Sequence, residues 1–249
     1  MENNKLNLLW LYPDMLNLHG DRGNVQAFEN VAKKLGIEIN VERLEDYDAT
    51  IDFEKTDVIL VNPGELKVIK KVIEKFQDKK EAIEAYINQN KNIILIGTSG
   101  AIMAKETERL DGSKITGLGF LDMSCKEREY INGDDIYFEL NDEKTEIVGS
   151  QIQVIDTQLH KDIALGTIKY GLGNNGNGTE GAKYKNVIFT NCLGPVFVKN
   201  PWWAEKIIKE AMKAKGFEIG KNIDETEYEL ELNSNKAIKE FINSKLKEK

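Results

Sequence analysis

The N-terminal part of the chain alternates short apolar segments with segments of helical periodicity, and this order is the strongest constraint on the fold. Apolar strands are predicted at 6–12, 37–41, 57–61 and 92–96. Amphipathic helices are predicted at 25–35 and within 65–89, where apolar residues recur three or four positions apart. The segment 92–96 has no polar alternation, which is typical of a strand covered on both faces. Strands and helices in this order predict a parallel sheet with right-handed crossovers.

The pattern changes after residue 107 to shorter, mostly β segments. Strands are predicted at 136–140, 146–155, 163–169 and 187–190, with a glycine- and asparagine-rich loop at 171–178. A helix is predicted at 201–215, beginning with a proline, and the charged remainder predicts a strand at 228–232 and a closing helix. We therefore predict one α/β domain over residues 1–220 and a charged C-terminal extension over 221–249.

Composition excludes several classes of protein. With 249 residues, 41% apolar and 31% charged, the chain can bury a sizeable core, and its net charge of −8 argues against binding nucleic acid through a basic surface. No stretch is apolar enough to predict a membrane span, and the N-terminal segment lacks the features of a signal peptide. Two widely separated cysteines form no disulfide framework, so a cytoplasmic setting is expected.

A scarcity of reactive side chains limits the chemistry. The chain has 2 histidines, His19 and His160, and 2 cysteines, Cys125 and Cys192. A serine or cysteine nucleophile usually needs an imidazole to take its proton, and a zinc site usually needs three or four ligands. We therefore expect neither a metal nor a cofactor.

The turn after the fourth strand is the most informative local feature. Residues 96–101, Ile-Gly-Thr-Ser-Gly-Ala, predict a strand, a tight turn and a helix, which is the arrangement of a nucleophile elbow with Ser99 at its apex. Alternatively, Gly97 and Gly100 only permit close packing. A serine nucleophile needs a base, and His19, which follows the first strand, is better placed at the ligand edge of the sheet than the loop residue His160.

Two separated groups of motifs resemble one family. The segments 12–17 (YPDMLN) and 20–24 (GDRGN) resemble the N-terminal signature of the glutamine amidotransferase subunit of lipid II isoglutaminyl synthase, a class I, cobyric-acid-synthase-like amidotransferase. Segments 171–178, 180–181, 184–187, 194–195 and 199–201 follow the family's order and spacing. The resemblance implies a flavodoxin-like α/β fold and a Cys–His glutaminase. It also implies a Mur-ligase-like ATP-dependent synthetase partner, which uses the released ammonia to amidate the D-glutamate of the peptidoglycan stem peptide.

The sequence departs from the family at the two reactive positions. The family's nucleophile lies in a Gly-x-Cys-Gly-Gly turn, which matches residues 97–101 and puts Ser99 at the cysteine position. The family's histidine precedes Gly-Pro, which puts Leu193 at the histidine position. The serine hydroxyl has a far higher pKa than the cysteine thiol, and a leucine side chain can neither accept nor donate a proton. Loss of a nucleophile or its base typically lowers the turnover number by a factor on the order of 10⁴ to 10⁶.

Three further residues are candidate substrate contacts. Gly64 matches the family's oxyanion segment and could present its backbone amide, Gly100 could line a ligand cleft, and Arg128 matches an arginine that helps to bind glutamine. Arg128 is alternatively an ordinary exposed arginine. Cys192, next to Leu193, is a candidate displaced nucleophile without a histidine base beside it.

These features support three hypotheses for the function. The preferred one is a glutaminase-inactive subunit that acts as scaffold or regulator of the Mur-ligase-like synthetase. The second is a hydrolase or glutaminase with Ser99 as nucleophile and His19 or His160 as base. The third is a module that binds a small ligand such as glutamine through Gly64, Gly100 and the 171–178 loop.

Overall fold

The computed structural model describes residues 4–247, and a six-stranded sheet forms the centre of its fold. The strands of this sheet are β1 (Lys5–Leu11), β2 (Glu38–Leu44), β3 (Val58–Val61), β4 (Asn92–Ile96), β11 (Ala182–Tyr184) and β12 (Val187–Thr190). Their order across the sheet is β11-β12-β4-β3-β1-β2. All neighbours pair in parallel except β11, which is antiparallel to β12 at the edge. The predicted α/β fold with a mainly parallel sheet is confirmed.

Helices cover both faces of this sheet, which explains why β3, β4 and β12 are buried along their whole length. They are α1 (Arg22–Leu35), α2 (Leu66–Gln77), α3 (Lys80–Asn88), α4 (Gly100–Met103), α5 (Val196–Lys199) and α6 (Pro201–Ala214). Alternate residues of β1 point to opposite faces: Leu8 packs in the core with α1 and α6, whereas Leu9 packs in the core with α2 and α3. α1 ends at Leu35 and is followed by Gly36, whose φ of 77° lies in the left-handed region that favours glycine just after a helix.

A second sheet, mostly antiparallel, lies between β4 and β12 in the chain. It contains β5 (Glu106–Glu108), β6 (Lys114–Thr116), β7 (Met123–Leu140), β8 (Glu146–Leu159), β9 (Gly166–Tyr170) and β10 (Thr179–Glu180). β7 and β8 form a long hairpin whose register shifts between Glu127 and Asn132. Ser150 of β8 forms an isolated antiparallel bridge with Leu193, which joins this sheet to the segment after β12.

The C-terminal segment is helical where a strand is predicted. The helix α7 spans Glu229–Lys247, so the prediction of a strand at 228–232 is wrong. The alternating sequence Glu-Leu-Glu-Leu suggests a strand, but Asp224 caps a 3₁₀ turn over Glu225–Tyr228 that leads directly into the helix. Within α7, Asn235 donates hydrogen bonds to Lys199 O and Asn200 Oδ1, both at 3.1 Å, which fixes the helix against the end of α5.

No helix within residues 4–247 combines the length and the apolar character that a membrane crossing requires.

Candidate functional site

The predicted strand, turn and helix are present at the carboxyl edge of the parallel sheet. β4 ends at Ile96, a 3₁₀ turn covers Gly97–Ser99, and α4 begins at Gly100. The apex of the turn is Gly97, whose φ is 58°. A side chain at this φ would be strained, so the backbone conformation favours glycine there.

Ser99 points inward rather than toward a cleft. Its side chain is fully buried, and its Oγ accepts a hydrogen bond from Ile96 N at 2.8 Å. The hydroxyl proton can be donated to Val61 O or Ile96 O, each at 2.9 Å. Within residues 4–247, no histidine lies at hydrogen-bond distance from this Oγ. The structure therefore corrects the prediction of Ser99 at the apex, because Oγ is committed to the backbone of β3 and β4.

Leu193 and Pro63 converge on Gly97. A Cβ atom added to Gly97 would lie 3.4 Å from Leu193 Cδ2 and 3.2 Å from Pro63 Cβ. Leu193 is buried, and reciprocal backbone hydrogen bonds with Ser150, of 2.7 and 3.2 Å, hold it in place. A side chain at position 97 would therefore face position 193, and in this chain both sides of that contact lack a group that can accept or donate a proton.

The backbone amide of Gly64 is already in use. Gly64 N donates a hydrogen bond to Thr98 Oγ1 at 3.0 Å, and Thr98 Oγ1 lies 2.6 Å from Gly64 O, to which it can donate in return. A Cβ atom at Gly64 would lie 2.3 Å from Leu16 Cδ2, so this loop is packed closely against the segment after β1. The sequence predicts that the Gly64 amide could be presented to an oxyanion, but in the structure this amide already donates to Thr98 Oγ1.

Gly100 is a packing glycine. A Cβ atom at this position would lie 2.4 Å from two ring carbons of Phe189, which belongs to β12. The small residue at the start of α4 therefore lets the helix approach the sheet. This geometry favours the packing interpretation of Gly100 over a contact with a ligand.

Arg128 lies on β7 beside the register shift and is partly buried. Its Nη1 forms an ion pair with Asp156, and its Nε donates to Tyr130 O at 3.2 Å. Both partners lie in the β7–β8 hairpin, so the structure gives the guanidinium a local role. No hydrogen bond within residues 4–247 brings it together with Gly64, Gly97 or Leu193.

The remaining candidate groups do not form a catalytic pair. His19 donates its backbone N–H to Asp21 Oδ2 at 3.1 Å, and His160 lies exposed in the loop after β8, where its backbone N–H bonds Asp122 O at 2.9 Å. Cys192 is fully buried, and burial, reinforced by the charge of Glu180, raises the pKa of its thiol well above the ordinary value. A protonated, inaccessible thiol is a poor nucleophile. Among residues 4–247 no cluster of histidine, cysteine and carboxylate side chains has the geometry to hold a metal ion.

A buried polar cluster that sequence reasoning missed supports the segment carrying Leu193. The Glu180 carboxylate accepts hydrogen bonds from Thr190 Oγ1 and Asn191 N, both at 2.7 Å, and from Asn191 Nδ2 at 3.0 Å. Asn191 Nδ2 also donates to Asn174 Oδ1 at 3.0 Å, which connects this segment to the 171–178 loop. Glu180 belongs to the 180–181 motif in the sequence. Only its burial and its hydrogen bonds to Thr190 and Asn191 indicate that it positions the segment that carries Leu193.

Asp21, at the start of α1, is a second buried carboxylate. Its Oδ2 accepts the His19 N–H, while its Oδ1 has no hydrogen-bond partner within residues 4–247. Burial raises the pKa of Asp21 above its ordinary value of 3.8, and the His19 N–H opposes this rise. The folded protein therefore binds this proton more tightly than the unfolded chain. The stabilising contribution of Asp21 is fully present below the ordinary pKa and is lost as pH rises through the raised one.

We expect an Asp21→Asn variant to become more stable, relative to the parent chain, as pH rises. Asparagine keeps an oxygen for the His19 N–H and carries no charge to bury. The free energy of unfolding of both proteins can be measured by urea denaturation from about pH 3 to about pH 7. The difference between the variant and the parent chain should be smallest at the acidic end, where Asp21 is protonated in both the folded and the unfolded state. A difference that stays constant or shrinks as pH rises would show that Asp21 ionises normally in the folded protein.

No protein-family model matches the chain. The chain is 29% identical over 251 aligned positions to the lipid II isoglutaminyl synthase (glutamine-hydrolyzing) subunit GatD of Streptococcus pneumoniae, covering 98% of this chain and 93% of that protein. It is 27% identical to the subunit of the same name from Staphylococcus aureus, covering 85% of this chain and 86% of that protein.

Solved structures with the same fold are more distant in sequence. One glutamine amidotransferase superposes with a TM-score of 0.55 at 13% identity, covering 82% of this chain and 98% of that one. PurLQS from Thermotoga maritima superposes with a TM-score of 0.52 at 14% identity, covering 84% of this chain and 97% of that one. These structures support the fold, and the GatD relatives support the resemblance carried by the motifs. The chain is therefore a homologue of the GatD subunits, and it has a glutamine amidotransferase fold.

Proposed function

We propose that this chain is a GatD-like subunit of a lipid II isoglutaminyl synthase-type complex that has lost glutaminase activity. It serves as a scaffold or regulator of a Mur-ligase-like synthetase that amidates the D-glutamate of the stem peptide. The observation that carries the proposal is that a Cβ atom on Gly97, at the apex of the turn, would lie 3.4 Å from Cδ2 of Leu193, at the position of the family's histidine.

Position 97 fits the family's nucleophile position better than position 99. A nucleophile elbow needs its side chain at the apex of a strained turn, and the residue with positive φ in this turn is Gly97. A Cβ atom on Gly97 would contact Leu193, as a nucleophile must contact its base, whereas Ser99 Oγ bonds the backbone of β3 and β4. This correspondence leaves the chain with neither nucleophile nor base.

The same geometry weakens the two alternative functions. A Ser99 hydrolase needs an accessible hydroxyl with a base beside it, but Ser99 is fully buried and bonded to the backbone. A module that binds glutamine through Gly64 and Gly100 needs space at those glycines. Leu16 already packs against Gly64 and Phe189 against Gly100.

The retained parts of the site favour a role within a complex. The chain aligns with 93% of a protein whose own name describes it as a subunit, which supports a similar role for this chain. The Glu180 cluster and the Ser150 bridge hold the Leu193 segment firmly although no reactive pair remains. Cys125 and Cys192 are buried and unpaired, which suits the reducing cytoplasm we propose as the setting.

Reconstitution with a Mur-ligase-like synthetase from the same organism tests the proposal. We expect the two proteins to elute together in size-exclusion chromatography. The complex should amidate lipid II with ATP and ammonium, but not with ATP and glutamine. Separate elution would contradict the role as a subunit, and glutamine-dependent amidation would contradict the loss of glutaminase activity.

A further inference from the structure

A cleft of about 490 Å³ lies outside the Gly97 site. Its walls include the aromatic rings of Phe120 and Tyr184 and the side chain of Ile163, and its rim carries Lys105, Lys161 and Asp122. None of these residues belongs to the elbow, the Gly64 loop or the Leu193 segment. The volume is within the range of about 300–1,000 Å³ that is usual for small-molecule sites.

The rim of this cleft is positively charged. Lys105 and Lys161 both pair with Asp122, Lys161 through a contact of 3.1 Å to Oδ2. These two lysines lower the pKa of Asp122, which therefore stays ionised and neutralises one of them. Asp122 is the one carboxylate among the lining residues, so the rim keeps a net positive charge in a chain whose formal net charge is −8.

The rim lysines have room for another partner. The side chains of Lys105 and Lys161 are 54% and 74% exposed, so neither ammonium group is enclosed by its contact with Asp122. An ammonium group has several hydrogens that it can donate, and a bound anion can accept from both lysines at once. The pair is therefore suited to an anionic group with more than one oxygen.

The walls are suited to a flat ring. Phe120 and Tyr184 supply aromatic surface, and the Tyr184 side chain is exposed rather than packed in the core. Further cations lie over these rings: Lys80 Nζ is 5.7 Å from the Phe120 centroid, and Lys185 Nζ is 5.7 Å from the Tyr184 centroid. An aromatic ligand can stack or pack edge-on here, while the surrounding charge favours an anion.

We infer that this cleft binds a planar-ringed organic anion of the nucleotide class. The ring contacts Tyr184, Phe120 and Ile163, and the phosphate accepts hydrogen bonds from Lys105 and Lys161. Inorganic phosphate would leave the aromatic walls without a partner, and a neutral nucleoside would leave the lysines without one. The inference is independent of the proposed loss of glutaminase activity, because the two sites share no residues.

Isothermal titration calorimetry with AMP, adenosine and inorganic phosphate tests this inference on the full chain at low salt. We expect AMP to bind more tightly than either of the other two probes, with an affinity that falls as salt is added. Replacing both lysines, as Lys105→Gln/Lys161→Gln, should weaken AMP binding by roughly tenfold or more, because charge-assisted hydrogen bonds are lost. Tyr184→Ala should weaken AMP and adenosine binding alike.

The matched control is Lys67→Gln/Lys144→Gln, which removes two exposed lysines that each pair with a glutamate elsewhere. This control should bind AMP as the parent chain does, and circular dichroism should show that all variants are folded. The inference is wrong if millimolar AMP gives no heat of binding. It is also wrong if adenosine binds as tightly as AMP, or if the rim and control variants lose affinity equally.

Discussion

We expect this chain to release glutamate from glutamine more slowly than an enzyme with an intact Cys–His pair, by a factor on the order of 10⁴ to 10⁶. Gly97 supplies no nucleophile and Leu193 no base, and the Gly64 amide that could stabilise an oxyanion donates to Thr98 Oγ1. The measurement is a coupled glutamate assay on the chain alone and with its synthetase. The GatD subunit of Streptococcus pneumoniae, whose name describes it as glutamine-hydrolyzing, is the positive control.

The variant Ser99→Ala distinguishes a structural serine from a catalytic one. Its loss leaves Ile96 N without the Oγ acceptor, so we expect the free energy of unfolding to fall by about 1–3 kcal/mol. Glutamate release should remain at background in both proteins. Release comparable to that of the positive control, and abolished by Ser99→Ala, would restore Ser99 as the nucleophile and overturn the proposed function.

The variant Glu180→Ala should lower the free energy of unfolding by about 3–5 kcal/mol. The substitution leaves Thr190 Oγ1 and the backbone and side-chain N–H groups of Asn191 without the carboxylate that accepts their hydrogen bonds. These donors are buried, so water cannot readily replace the carboxylate. Burial also raises the pKa of Glu180, and the donors from Asn191 and Thr190 oppose this rise.

Urea denaturation monitored by circular dichroism measures this loss. Glu129→Ala is the matched control, because Glu129 is exposed on the same sheet, and we expect it to change the free energy of unfolding by less than about 0.5 kcal/mol. A loss below about 1 kcal/mol for Glu180→Ala would mean that the 190–193 segment is held mainly by its backbone bridge to Ser150.

Sequence patterns predicted most of the strands and helices because these elements are specified by residues close together in the chain. The strand at 92–96 and the helix at 201–215 agree with β4 and α6 to within one residue, since continuous apolar runs and an initial proline are specific signals. The segment 228–232 is the informative failure. Its alternating glutamates and leucines have the period of a strand, but the capped 3₁₀ turn before it starts a helix that packs on Lys199 and Asn200.

The candidate site was less predictable because side-chain direction in a tight turn depends on distant contacts. The turn at 97–99 could be predicted, but which of its residues faces Leu193 is set by φ at Gly97 and by the hydrogen bonds of Ser99 with β3. The use of the Gly64 amide by Thr98 likewise joins two loops that are far apart in the chain. Burial of Glu180 could not be foreseen, because glutamate is usually a surface residue.

By itself, the sequence determined the α/β class, the kinship with GatD and the apolar residue at position 193, because periodicity and motif order are properties of the chain alone. Only the tertiary structure decided that Gly97 rather than Ser99 stands at the apex, that Ser99 bonds the backbone, and that a lysine-rimmed aromatic cleft exists. These features arise where separate segments meet. Their geometry follows from packing and hydrogen bonding between β3, β4 and the loops, which no single segment of sequence contains.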